Sequence, residues 1–236
     1  MDIKSLFKGE ERTVKAKKNI LASILIKGID SIVYLLLVPV TLGYLNPYEY
    51  GIWLTLNSIL MWINSFDIGL GNGMRNKLAE AIANGNQNLA RIYVSTTFFM
   101  LIGLMCVLII LGTLLEPITD WYSILGTNPE QVPKLDEIVY VAYSIFCLNF
   151  IFKFIGNVYL AMQLPAINNL LVVLGHLLSL IVIYIFTLCL PGSLFLVAII
   201  YSASPLLIYL IAYPLTFYKI YPYLKPSVDF FKKEYI

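Results

Sequence analysis

The feature that most constrains this chain is the run over residues 154–218, sixty-five residues without a single Asp, Glu, Lys or Arg. No buried helix of a soluble domain needs that much uncharged chain. Two successive membrane spans of about 20 residues each, joined by short turns, use it fully. Composition extends the same conclusion to the whole chain, because hydrophobic residues make up 59% of it and charged residues 13%, against roughly a quarter charged in an average soluble domain. The mean hydropathy of +0.81 agrees. Too little polar surface is available to cover a core in water, so lipid must cover the rest. In hydrocarbon only helices or closed barrels satisfy the backbone, and the apolar runs are far longer than barrel strands of about ten alternating residues.

The expected fold is therefore all-α, a polytopic transmembrane bundle of six helices. The spans are predicted at 19–43, 50–68, 91–115, 138–160, 167–190 and 193–213. Residues 92–115 alone are twenty-four consecutive uncharged positions. Asn46-Pro47 and Pro191-Gly192 mark tight turns between neighbours, and Gly69, Gly71, Asn72 and Gly73 are expected to end the second span. An amphipathic stretch at 74–83 follows, with Met74, Leu78, Ala81 and Ile82 at helical spacing and Arg75, Lys77 and Glu80 on the other side. Three units result: a basic N-terminal segment (1–18), a six-helix lobe (19–213) and a connector (214–236). Lys27 and Asp30 interrupt the first apolar segment, and no small-residue cleavage pattern ends it, so it reads as an anchor and not a cleaved signal peptide.

Basic residues choose the orientation. With the N-terminus inside, thirteen Lys and Arg fall in the inner regions and Lys134 alone in the outer loops, while Lys27 and Lys153 lie within spans. This bias places both termini in the cytoplasm. The basic cluster near the start leads straight into an apolar run, so it signals membrane topology and not nucleic-acid binding. Cys106, Cys147 and Cys189 lack the spacing of a disulfide framework or zinc site. No nucleophile, base and orienting group cluster together. Neither an enzyme nor a bound metal or cofactor is expected.

Polar residues inside the spans are the candidate site, since charge at bilayer depth is costly and must face protein or water. In the first span Ser23, Lys27, Asp30 or Ser31, and Tyr34 share one side. Lys27 and Asp30 stand one turn apart and can offset each other's charge, with Lys27 either snorkelling to the inner interface or contacting a ligand. The fourth span carries Asn149, Lys153 and Asn157 at strict four-residue spacing. If that stripe faces the first span, Lys27 and Lys153 form a cationic patch suited to phosphate or another anion. Trp62 in the second span either anchors in the interface or stacks on a sugar. His176, the only histidine, is either a packed hydrogen-bonding residue, a proton-coupling group or a substrate contact. Asp67 is expected to bond the glycine-rich turn. Pro165 and Pro205 are expected to bend or interrupt helices.

From residue 48 to about 97 the chain carries Tyr50-Gly51-Ile52-Trp53, Asp67-Ile68-Gly69-Leu70-Gly71-Asn72-Gly73, Asn76-Lys77-Leu78-Ala79-Glu80-Ala81, the Gly85-Asn86 break and Ala90-Arg91-Ile92-Tyr93. These motifs, with Leu224-Lys225-Pro226-Ser227 and Phe230-Phe231-Lys232-Lys233 after the last span, resemble bacterial polysaccharide-biosynthesis membrane proteins of the oligosaccharide flippase group. That group belongs to the multidrug/oligosaccharidyl-lipid/polysaccharide exporter superfamily. The resemblance implies a MATE-like fold of two lobes around a central cavity, of which this chain corresponds to the amino-terminal lobe, with a second lobe as its missing partner. It implies residence in the bacterial inner membrane and passage of an undecaprenyl-diphosphate-linked oligosaccharide to the outer leaflet. Lys27 and Lys153 are then candidates for the diphosphate, Asn149, Asn157 and Trp62 for the head group, and Asp30 and His176 for ion coupling. Asp67, Gly69, Gly71, Asn72, Gly73 and Arg75 form a cytoplasmic motif. Export of small molecules and a non-transporting envelope scaffold are the alternative functions.

Overall fold

The computed structural model describes residues 11–62 and 69–235. Among them the chain is all-α. Helix α1 covers Glu11–Tyr44, α2 Pro47–Met61, α3 Leu70–Ala83, α4 Gln87–Leu115, the short α5 Trp121–Leu125, α6 Leu135–Ala161, α7 Pro165–Cys189 and α8 Leu194–Pro214. A 3₁₀ turn, Glu116–Ile118, follows α4, and a π-helical turn, Leu215–Ile220, with three further 3₁₀ turns completes the described chain.

The helices begin where local chemistry provides for their unpaired N–H groups. Asn46 caps α2 in a reciprocal box: its Oδ1 accepts from Glu49 N at 2.9 Å, and its own N–H donates to Glu49 Oε2 at 3.4 Å, with Pro47 preset at the first position. Asn86 and Ser193 cap α4 and α8 with a single side-chain acceptor for the third backbone N–H, and Pro165 opens α7 without interrupting it. The glycine-rich stretch is where expectation and structure part. Only Gly69, at φ +80°, makes the turn. Gly71, Asn72 and Gly73 already belong to the first turn of α3, which leaves the left-handed region to the one residue that needs it.

Contacts at the two ends of α6 fix the direction of travel. Tyr48, at the start of α2, donates to Gln131 at 2.8 Å in the segment before α6. Arg75 of α3 shares a pocket with Gln163 and Pro165, just past the end of α6. Because α6 is 27 residues long, these two places are about 40 Å apart at 1.5 Å per residue. The chain thus passes from one end of the bundle to the other between residues 48 and 75. Lys134 stands at the first of these ends; Arg75, Lys77, Arg91, Lys219, Lys225, Lys232 and Lys233 stand at the second.

Five described helical stretches are long and apolar enough to cross a membrane by length and composition. The helices that contain them are α1, α4, α6, α7 and α8. The expected second span is described as a helix only over the 15 residues of α2, shorter than the roughly 20 a span requires. Its remainder, with Asp67, lies outside the described residues.

Helix α6 is central, packing on α3, α4, α7 and α8, whereas α1 packs chiefly on α7. The dry core is aromatic. Phe154 lies 4.9 Å from Phe98 between ring centroids and stacks on Phe217 at 5.8 Å, and Tyr213 closes on Phe217 at 5.0 Å. After the π-helical turn the chain folds back along the first turns of α4. There Arg91 Nε donates to the Lys225 carbonyl at 2.9 Å, Ser227 N to Ser95 Oγ at 3.2 Å and Lys232 N to Thr96 Oγ1 at 3.1 Å. The Arg91 guanidinium also lies 4.2 Å over the Phe230 ring. The expected connector is therefore laid against α4 by hydrogen bonds along its length.

Candidate functional site

Between the helices lies a cavity of about 200 Å³ whose wall is drawn from five of them: Tyr34 of α1, Trp53 and Asn57 of α2, Asn149 and Lys153 of α6, His176 of α7, and Tyr201, Ser202 and Pro205 of α8. A second cavity of about 220 Å³ continues from it, sharing Lys153 and adding Asn157 and Asn168. The stripe Asn149, Lys153 and Asn157 thus lines one continuous polar wall along α6, as its four-residue spacing predicts. Asn149 Oδ1 is buried without a hydrogen-bond partner among the described residues. A buried acceptor left open costs free energy, and in a cavity of this size water or a polar ligand can satisfy it.

The charged centre of the wall joins two helices far apart in sequence. His176 Nδ1 and Asp30 Oδ1 are hydrogen-bonded at 2.6 Å, both side chains being about seven-tenths buried. With Nδ1 engaged by the carboxyl group, Nε2 is left for other partners. Tyr34 meets the imidazole edge-on at 5.9 Å. Seven residues back on each helix, Asn169 Nδ2 donates to Ser23 Oγ at 2.7 Å. The matched seven-residue steps mean that α1 and α7 run parallel, with Ser23, Asp30 and Tyr34 along the seam.

Close approach of backbones holds His176 in place. A Cβ on Gly175 would stand 3.0 Å from Pro205 Cα, so glycine there lets α7 meet α8 directly. Pro205 in turn has no N–H for the carbonyl of Tyr201 one turn earlier, beside the cavity that both residues line. Gly156 plays the matching part between α6 and α7, since a Cβ at that position would run into Asn168 Oδ1.

Two expectations change. The partner of Asp30 is His176 and not Lys27; Lys27 is exposed on α1, makes no ion pair among the described residues, and lines neither cavity with Lys153. Trp62 is 75% exposed at the end of α2. The tryptophan in the wall is Trp53, buried against Tyr201 at 5.0 Å between ring centroids. In the motif expected on the cytoplasmic side, Gly71 is buried, while Asn72 and Gly73 are exposed. Arg75 is half-buried in an open pocket of about 330 Å³ with Ile20, Leu160, Gln163 and Pro165.

Asn168 and Asn169, one in the wall and one in the α1 seam, are site residues that the periodicity argument passed over. A pair of amides opening an otherwise apolar span was the available signal. Among the described residues no group of His, Cys, Asp and Glu is arranged to hold a metal ion. Compared with family models, with curated proteins and with solved structures, the chain matches none.

Proposed function

We propose that this chain is a six-span lobe of a membrane transporter that carries an undecaprenyl-diphosphate-linked oligosaccharide across the bacterial inner membrane. The observation that supports it is the polar wall itself: Asn149, Lys153, Asn157 and His176 line cavities between apolar helices, with Asp30 hydrogen-bonded to His176. Ionisable groups at membrane depth are retained where they face substrate or ion pathways. Lys153 offers charge to a diphosphate, and the amides offer donors and acceptors to sugar hydroxyls. The polyprenyl tail stays in lipid.

Passage of the chain between the two bundle ends over residues 48–75 accords with a sixth crossing, and the resemblance of residues 48–97 to oligosaccharide flippases supplies the substrate class. The single-basic-end arrangement accords with cytoplasmic termini. A second lobe of the same kind, facing the open side of the cavity, completes the pathway, and rocking of the lobes exposes the head group alternately. The Asp30–His176 pair is the place where a coupling ion acts. Small-molecule export uses the same polar wall without any requirement for a diphosphate.

The test is reconstitution into liposomes with labelled lipid-linked oligosaccharide in one leaflet, using the chain alone and joined to any coding sequence that follows residue 236 in frame. Protein-dependent transfer that falls with Lys153→Ala and Asn149→Leu supports the reading. Absence of transfer in both forms under every ion gradient contradicts it, and equal transport of lipids without a diphosphate favours the export reading.

A further inference from the structure

A separate apolar groove of about 380 Å³ opens at the bundle end away from the basic cluster, between α2, α4, α5 and α6. That volume lies within the ~300–1,000 Å³ typical of small-molecule pockets. Its side walls are Leu60, Leu108 and Leu111. Its floor is Tyr143, whose ring occupies the space that a Cβ on Gly112 would take and whose hydroxyl is satisfied by the Leu108 carbonyl at 2.7 Å. Helix α2 serves both sites, turning Trp53, Asn57 and Met61 toward the polar cavity and Leu56, Ile59 and Leu60 toward the groove.

At the mouth stands Glu116, half-buried beside Thr119 and Trp121. Of the other acids at this end, Glu49 closes the α2 capping box, Asp120 accepts from Ser123 N at 3.1 Å, Glu137 pairs with Lys134 at 3.2 Å, Asp136 stands in the first turn of α6, where the helix N-terminus favours an acid, and Glu130 is exposed outside the groove. Thr119 is satisfied by the Leu115 carbonyl. Among the described residues Glu116 makes no ion pair, and its carboxylate has no hydrogen-bond partner. A half-desolvated carboxylate above an apolar slot matches an amphiphile with one cationic end.

The geometry points to a lipid site: the groove holds one acyl chain of a membrane lipid whose head group carries a primary ammonium, and Glu116 pairs with that ammonium. The chain lies along Leu60, Leu108 and Leu111, and the head group stays at the interface beside Trp121. The site is independent of the polar cavity and of what passes through it.

Trp121 reports occupancy directly. The full chain is reconstituted with phosphatidylethanolamine or phosphatidylcholine carrying brominated chains, and the quenching lost on Trp121→Phe is the signal from the groove. The amine lipid is expected to be preferred roughly 3- to 5-fold, the size of one half-buried ion pair, and Glu116→Gln is expected to remove the preference while chain-dependent quenching remains. Native mass spectrometry of lipids retained by the parent chain and Glu116→Gln provides a second readout free of tryptophan changes. Equal quenching by the two lipids in the parent chain overturns the proposal, as does no quenching of Trp121 or a preference that survives in Glu116→Gln.

Discussion

Helices α1 and α6 both contain stretches apolar enough to span a bilayer, yet they are held in opposite ways. Half of the apolar window of α6 is buried inside the protein, against 11% of the window in α1. Helix α6 is fixed by packing, with Phe154 and Phe150 inside and Tyr159 bonded to Thr216 at 2.8 Å. Helix α1 offers most of its apolar surface outward and is located on α7 by polar contacts, Ser23 to Asn169 and Asp30 to His176. In lipid, apolar contact alone gives little preference for one neighbour over another, so an edge helix needs hydrogen bonds or tight backbone approach to choose its place. One of these polar residues, His176, also lines the cavity.

The comparison is broken most severely by emptying the packed side. Phe154→Ala, at a site 2% exposed, is expected to cost about 3–5 kcal/mol, seen as a large fall in thermal stability in detergent; an unchanged melting temperature means that α6 is not held by its aromatic core. On the polar side, Asp30→Ala, His176→Ala and their double variant form a cycle. Its coupling is expected near the ~1.7 kcal/mol upper end found for hydrogen bonds between membrane helices, and additive effects mean that the pair does not hold α1. The Ser23→Ala and Asn169→Ala cycle is expected nearer the ~0.6 kcal/mol average. A coupling larger than that of Asp30 and His176 reverses the order of the two clasps.

Smallest in global effect is Thr96→Val. It removes both the acceptor for Lys232 N and the donor to the Lys232 carbonyl from a segment that also holds on through Arg91 and Ser95. Faster amide exchange over residues 225–235 with little change in overall stability is expected. Exchange that stays slow assigns the docking to Phe230 and Phe231 against α4 instead.

Much of the fold was readable because its signals are local. Asn46-Pro47, Gly85-Asn86 and Pro191-Gly192 place the adjoining helix boundaries within a few residues of those found, whereas α1 begins at Glu11, eight residues ahead of the expected span and inside the expected basic segment, and α2 ends at Met61, seven residues short; the glycine-rich segment differed in detail because one glycine sufficed for the turn. The α6 stripe was readable for the same reason, since four-residue spacing sets a face without knowledge of neighbours. What sequence could not supply was pairing across the bundle. Lys27 is the near neighbour of Asp30 in sequence, whereas His176 is 146 positions away and becomes its partner only when α7 packs on α1. Trp62 and Trp53 are similar by composition, and only the register of α2 against α8 decides which enters the wall. Ser95 and Thr96 read as small residues of a span, and their part in docking the connector needed the chain to fold back.

The central claim is that polar space at bilayer depth is wet while the core beside it is dry. It is tested most directly by cysteine access in a chain whose Cys106, Cys147 and Cys189 are replaced. Asn149→Cys and Ile155→Cys, six residues apart on α6, the second fully buried and lining neither cavity, are exposed in membranes to a charged, water-soluble thiol reagent. Rapid modification at position 149 with protection at position 155 is the predicted result. Protection of both positions means that the cavity is closed to water and contradicts the account.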